Sequence, residues 1–243
     1  MSNVQCVTRN TGEFYRRNQE GTNIAAFDVS GYADHPFNLL SPFTHGKEIE
    51  IPIPGMQGRV SHSVEGIWQG LKIINGSTEE RLFSITPRKR KGFVEGHRYG
   101  EQILDIPEAR ERIYIPSYTF FLDNFASQDA IEEIGEQQRM GKRVFVYDVD
   151  SNADIRNPAP LAHASVLATY LNLKIFSKET KPRNNAERQL FAVLHGEGTL
   201  EEKVMLLEAL SSDPEMKRAV QYHCKDHPLN PDTYHIGLAC TNI

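Results

Sequence analysis

The chain has 243 residues and a formal charge of −5, from 27 Lys plus Arg against 32 Asp plus Glu. That length can bury one sizeable core and sits near the upper end of a single domain; 39% hydrophobic and 24% charged residues leave little room for extended disorder, and the acidic balance excludes a general nucleic-acid coat. Three scattered cysteines (Cys6, Cys224, Cys240) make no disulfide framework, the N-terminus lacks a signal peptide's apolar stretch, and no segment approaches ~18 apolar residues, so the expectation is a cytoplasmic protein with no membrane span.

Residues 1–60 hold many turn formers, among them Gly31, Pro36, Pro42, Gly46, Pro54 and Gly58, with a short strand expected at Ile49-Glu50-Ile51. Phe27, Phe37, Leu39, Leu40 and Phe43 make this a segment that wraps onto the domain and not a solvated tail. The first helix is expected from about Ser63 to Ile74, because Val64, Ile67, Trp68, Leu71 and Ile74 repeat on one helical face. Asp105 and Pro107 predict a short helix over Glu108–Arg112, followed by an extended Tyr114-Ile115-Pro116. Ser127 is a cap for a helix to about Met140, and the β-branched and aromatic run Arg143–Val149 reads as a buried strand. The rest reads as helical: about 161–173, 185–194, 200–210 behind the capping box Thr199…Glu202, and 214–223. The fold class that follows is α+β: a predominantly helical single domain over 1–243, with a small β-sheet, a strand- and loop-rich N-terminal region and a helical part over 161–243.

Four constellations could carry chemistry. On the helix from Ser63, a carboxylate (Glu65), an amide (Gln69) and an amine (Lys72) share one side, opposite an apolar face that includes Trp68. The same three residues also read as solvent-facing groups with weak i, i+3 and i, i+4 contacts. The run Asp148-Val149-Asp150-Ser151-Asn152-Ala153-Asp154 follows a strand. It is no calcium loop, since Ala153 stands where the turn needs Gly and Ala159 where the bidentate Glu should be; it remains either a site or a solvated turn capping the next helix. The basic run Arg88-Lys89-Arg90-Lys91, with His97 and Arg98 beyond it, reads as a solvated face or a phosphate holder. Near the C-terminus, His223, Cys224, His227, His235 and Cys240 match no closed zinc spacing, so neither metal nor cofactor is expected. P-loop, Rossmann and G-x-S-x-G signatures are absent from the sequence.

The decapeptide Ser63-Val64-Glu65-Gly66-Ile67-Trp68-Gln69-Gly70-Leu71-Lys72 resembles the Ser-x-Glu-x-x-(aromatic)-Gln-x-x-Lys helix of the NADAR superfamily, N-glycosidases tied to NAD and ADP-ribose metabolism. Upstream, Phe37-Asn38-Leu39-Leu40-Ser41-Pro42-Phe43 is similar to the family's Leu-Ser-Asn-Phe stretch at a similar spacing. The resemblance implies a mainly helical enzyme that cleaves the N-glycosidic bond of a ribosylated pyrimidine intermediate or of ADP-ribosylated guanine. It would make Glu65 a catalytic carboxylate, Lys72 an active-site amine, and Asp148 or Asp150 a partner to Glu65. Asn38, Ser41, Phe43, Gln69 and Tyr118 would line the site, while Arg90 and Arg98 would hold phosphate. The implied partner is a phosphate-bearing nucleotide, a nucleotide-sugar or modified nucleic acid; a non-catalytic module binding ADP-ribose or a nucleotide is the alternative. Two departures stand out. Trp68 is the one tryptophan in the chain, where the family carries another downstream, and Gly66 replaces the histidine that usually follows the glutamate.

Overall fold

A computed structural model describes the chain from Val4 to Glu179, with side chains as far as Asn172. In chain order its regular elements are β1 (Val4–Cys6), α1 (Arg9–Arg17), β2 (Ile24–Asp28), β3 (Ile51–Pro52), β4 (Val60–Ser61), α2 (Val64–Leu71), β5 (Lys72–Ile73), β6 (Gly96–Tyr99), β7 (Gln102–Leu104), α3 (Ile106–Ala109), α4 (Ile115–Asn124), α5 (Gln128–Arg139), β8 (Arg143–Tyr147) and α6 (His163–Glu179). This is an α+β architecture of helices and small sheets. The chain divides into two compact units, one from residues 1–27 and 131–243, the other from residues 28–130.

In the first unit β8 is the central strand of a sheet ordered β1-β8-β2, with β1 parallel to it in the register Val4↔Val144, Gln5↔Phe145, Cys6↔Val146. Val144, Phe145, Val146 and Tyr147 are all buried, as a strand covered on both faces should be. Helix α1 approaches β8 closely, and Gly12 permits it: a Cβ there would lie 2.1 Å from the Tyr147 ring. Tyr15 stacks on Phe145 with centroids 4.6 Å apart. The exposed edge of β1 is satisfied by Asn172 of α6, which accepts from Val4 N and donates to Val4 O, both at 2.9 Å.

In the second unit α2 is the organising element. Ser63 caps it, accepting from Gly66 N at 3.0 Å, and Val64, Ile67 and Leu71 are buried. Gly66 and Gly70, one turn apart, form a groove for the 3-10 turn Glu80–Phe83. A Cβ on Gly66 would meet Leu82 O at 2.6 Å, and one on Gly70 the Phe83 ring at 2.3 Å. The histidine that the NADAR pattern has at position 66 therefore has no room in this packing. Strand β6 lies between β5 and β7, antiparallel to both, with Lys72 opposite His97.

Several expectations are corrected. The first helix stops at Leu71, because Lys72 turns extended (ψ 129) to pair with β6. Tyr114-Ile115-Pro116 is helical: α3 runs through a π-helical turn (Arg110–Tyr114) into α4, with Pro116 in that helix's first turn, where its missing N–H costs little. Arg9–Arg17 adds a helix to a region of turn formers, capped by Thr8, which accepts from Thr11 N. The strand near Ile49 is observed at Ile51–Pro52, and β8 ends at Tyr147, with Val149 exposed. Ser127 does cap α5, accepting from Ala130 N at 3.2 Å. The expected helices beyond residue 185 and the His/Cys cluster lie outside the described residues. Among the described residues, no helix is long and apolar enough to cross a membrane.

Candidate functional site

Glu65 and Gln69 stand one turn apart on α2, and Lys72, the first residue beyond its end, continues the same flank. They form a hydrogen-bonded chain. Lys72 Nζ donates to Gln69 Oε1 at 2.8 Å, and Gln69 Nε2 donates to Glu65 Oε1 at 2.8 Å. Arg90 N also donates to Gln69 Oε1, at 3.0 Å. With two donors on one side and a carboxylate on the other, only this orientation of the amide satisfies all three neighbours. The polar face is not the solvated surface that periodicity alone allows: Glu65 and Gln69 are buried at 5% and 3% exposure.

Burial also perturbs the amine. Desolvation pushes the Lys72 ammonium below lysine's ordinary value; Glu65 opposes the shift, and Arg90 and Lys89 reinforce it. A carboxylate and a lysine of lowered basicity, joined through one amide, are groups able to exchange protons and charge with a ligand, which makes this flank the candidate site.

The upstream segment is brought to the same place. Pro42 O accepts from Glu65 N at 2.9 Å, which seats the turn around Ser41 and Phe43 at the N-terminus of α2. Ser41 is buried and accepts from Phe43 N at 3.2 Å, while Phe43 keeps 37% of its surface exposed. Asn38 lies in the 3-10 turn Phe37–Leu40, and its Oδ1 is buried without a hydrogen-bond partner.

Other expected site residues have different work. Arg90 Nη1 donates to Gln69 O at 3.2 Å and to Lys72 O, Nη2 to Ser77 O at 3.1 Å, and Nε faces Glu79 at 3.3 Å. It is a strut that satisfies carbonyls at the C-terminus of α2, with little donor capacity left for phosphate. Arg98 follows His97 on β6, so it projects to the sheet face away from Lys72; its Nε donates to Gly100 O at 3.1 Å. Tyr118 is fully buried, its hydroxyl donating to Leu40 O at 2.6 Å, and so offers no stacking face.

Asp148 and Asp150 belong to the other unit. Asp148 Oδ2 accepts from His163 Nδ1 at 2.7 Å and from Ala164 N at 3.2 Å at the start of α6, and Oδ1 accepts from Asp150 N. Burial alone would raise its pKa, yet His163 and the backbone donors hold the carboxyl below its ordinary value. Asp150 is half-buried on the loop that follows. Cys6 is inert in this unit, its thiol pushed up to about 12 by burial and then by Asp148. Among the described residues, no group of three or more His, Cys, Asp or Glu is placed to hold a metal ion.

Two residues join the flank of α2 without having been singled out for it. At about 100° per residue, Trp68 sits ~60° from Glu65, at the border of the apolar face, and it is only half-buried. Its ring stacks on His97 with centroids 3.9 Å apart and planes at 28°, and Tyr114 meets it edge-on at 5.5 Å. His97 is 1% exposed, and both its ring nitrogens lack a partner. Burial, then Lys72 and Arg110, pushes the imidazole down to about 3, so it is neutral.

Comparison with known proteins finds one family model, described as Family of unknown function (DUF6939), which matches residues 13–167, more than half of the chain. No curated protein and no solved structure matches.

Proposed function

We propose a function for a chain that belongs to the Family of unknown function (DUF6939): it is an N-glycosidase, similar in its reacting residues to the NADAR superfamily. Its substrate is a ribosylated, phosphate-bearing nucleotide derivative of the ADP-ribosyl-guanine or ribosylated-pyrimidine type. The observation that carries the reading is the buried chain Glu65–Gln69–Lys72, a carboxylate and a desolvated amine oriented by a shared amide.

In this reaction the bond between the anomeric carbon and the base nitrogen breaks, and its electron pair leaves with the base, which takes up a proton. Water supplies the oxygen at the anomeric carbon. Positive charge grows on the ribose as the bond lengthens, and the Glu65 carboxylate stabilises that oxocarbenium-like state. Lys72, less basic than usual, has a larger neutral fraction and can capture the opened sugar aldehyde as an imine with loss of water. Gln69 bridges the two groups, accepting from Lys72 Nζ and donating to Glu65 Oε1. With Arg90 committed to carbonyls, phosphate falls to Lys89, which is exposed and close enough to Lys72 to lower its basicity.

The test is product analysis by mass spectrometry with ADP-ribosylated guanine nucleotides, ADP-ribosylated DNA and ribosylated pyrimidine phosphates, wild type beside Glu65→Gln. Free base released by the wild type and lost in the variant is the expected result. A ligand bound and returned intact by the wild type would replace the reading with a non-catalytic nucleotide-binding module.

A further inference from the structure

Glu79 gathers an excess of positive charge that the chemistry above leaves unused. Its Oε1 accepts from Arg81 Nε at 2.6 Å and from Arg88 Nη2 at 2.7 Å, while its Oε2 faces Arg90 Nε at 3.3 Å. Three guanidinium groups thus share one carboxylate. Arg90 is committed to the carbonyls of Gln69, Lys72 and Ser77, but the side chains of Arg81 and Arg88 are 68% and 58% exposed. The cluster is tied to the helix that carries Glu65 and Gln69: Glu79 N donates to Gly70 O at 2.9 Å, and Arg88 stands two residues before the N–H that Gln69 Oε1 receives.

As a stabilising device this arrangement is poor. Exposed ion pairs contribute little, and two cations converging on a single oxygen repel one another more than one carboxylate offsets. What the arrangement does achieve is to hold two planar forks side by side with donors to spare. Among the described residues nothing else claims Arg88 Nε and Nη1 or Arg81 Nη1. Residues 85–94 make no hydrogen bond between backbone groups there, so Glu79 is what places the Arg88 fork. Lys89, exposed and next in the chain, adds a further cation. Paired forks suit an anion that presents several oxygens on two adjacent centres, which is the geometry of a diphosphate. A phosphodiester, with one charge per phosphorus, would match less of the excess.

We propose that Arg81 and Arg88, held together by Glu79 at the C-terminal end of α2, form a binding site for a diphosphate group. Its place in the reaction, seating the phosphates of the substrate beside Lys89, rests on the reading of Glu65 and Lys72 as the reacting pair; the binding itself does not.

The probe is inorganic pyrophosphate, titrated calorimetrically into the full-length protein without divalent cations and at fixed ionic strength, since salt screens exposed charges. Saturable binding by the wild type is the expected result. Arg88→Gln and Arg81→Gln should each weaken it about tenfold, as loss of one charge-assisted contact implies. Lys91→Gln removes the same charge from the same exposed segment without touching Glu79, and should weaken it less than about twofold. Pyrophosphate that fails to bind overturns the site, and equal weakening in Lys91→Gln and Arg88→Gln reduces it to diffuse attraction toward a basic segment. A short oligothymidylate that binds more tightly than pyrophosphate, and loses as much in Arg88→Gln, overturns the diphosphate in favour of a nucleic-acid backbone. Base release by a wild type that does not bind pyrophosphate defeats this inference alone. Pyrophosphate binding without base release from any substrate leaves it standing and defeats the glycosidase reading alone.

Discussion

Each unit of this chain buries a carboxylate close to an ionisable base, and the two carboxylates are treated in opposite ways. Asp148 is clamped by His163 and by the backbone N–H groups of Ala164 and Asp150 at the end of a strand and the start of a helix. Its negative charge is matched where it stands, and its pKa is lowered accordingly. Glu65 instead sits on a helix flank with an amide between it and a lysine that burial makes less basic. A clamped charge stabilises a fold; a buried carboxylate joined through an amide to a destabilised ammonium is the arrangement that the proposed chemistry uses.

Substitutions can break or sharpen this contrast. The largest effect is expected from Glu65→Gln, which keeps the shape of the side chain: base release should fall by about 10²–10⁴-fold, with the melting temperature little changed. Asp148→Ala should do the reverse. It strands His163 and the start of α6, costing about 3–5 kcal/mol by chemical denaturation, with the rate per folded molecule unaltered.

The pH dependence of that stability has a definite sign. Because the folded Asp148 carboxyl titrates below its unfolded value, its contribution is present above the ordinary carboxylate range and disappears as pH falls through the lowered folded value. Wild type should lose stability on acidification more steeply than Asp148→Asn.

Gly66→Ala comes next. Its Cβ would press on Leu82 O, 2.6 Å away, so about 1–3 kcal/mol of overpacking is expected in a denaturation curve, together with slower base release as the helix shifts. The smallest effect on stability is expected from Lys72→Met, which removes a largely buried ammonium. Below lysine's ordinary pKa the unfolded chain binds more protons at this position than the folded one, so wild-type stability climbs with pH through that window. The methionine variant should melt at or above the wild type near neutrality, its advantage shrinking toward pH 10, while losing base release. A clear drop in its melting temperature would make Lys72 a structural residue.

How much of this could be read from the sequence follows from the range of each interaction. Ser63, Glu65, Gln69 and Lys72 lie within ten residues, and helical spacing alone puts them on one flank, so both the cap and the polar chain were legible. Trp68 reads as core because its apolar neighbours dominate the pattern, although its angle on the helix places it at the border. His97 was not legible as part of the site. It reaches Lys72 through the β5–β6 register, which pairs positions 25 apart, and short strands such as Lys72–Ile73 leave no alternation to read. Arg90 misled for a related reason: a basic run looks like a phosphate hand until helix-end carbonyls are seen to claim its guanidinium. Tyr114-Ile115-Pro116 reads as extended from the sequence, whereas Pro116 stands in a helix's first turn. The glycines of α2 were visible as residues but not as a groove, since only the packed Glu80–Phe83 turn shows what their missing side chains make room for.

The most direct test is to measure Glu65→Gln and Asp148→Asn side by side, each for thermal melting and for base release from the substrate that the wild type cleaves. The expected result is a crossed pattern: Glu65→Gln folds like the wild type and releases no base, while Asp148→Asn melts earlier but cleaves at the wild-type rate where it is folded. Glu65→Gln that cleaves normally, or Asp148→Asn that folds normally and does not cleave, would contradict the assignment of chemistry to one carboxylate and structure to the other.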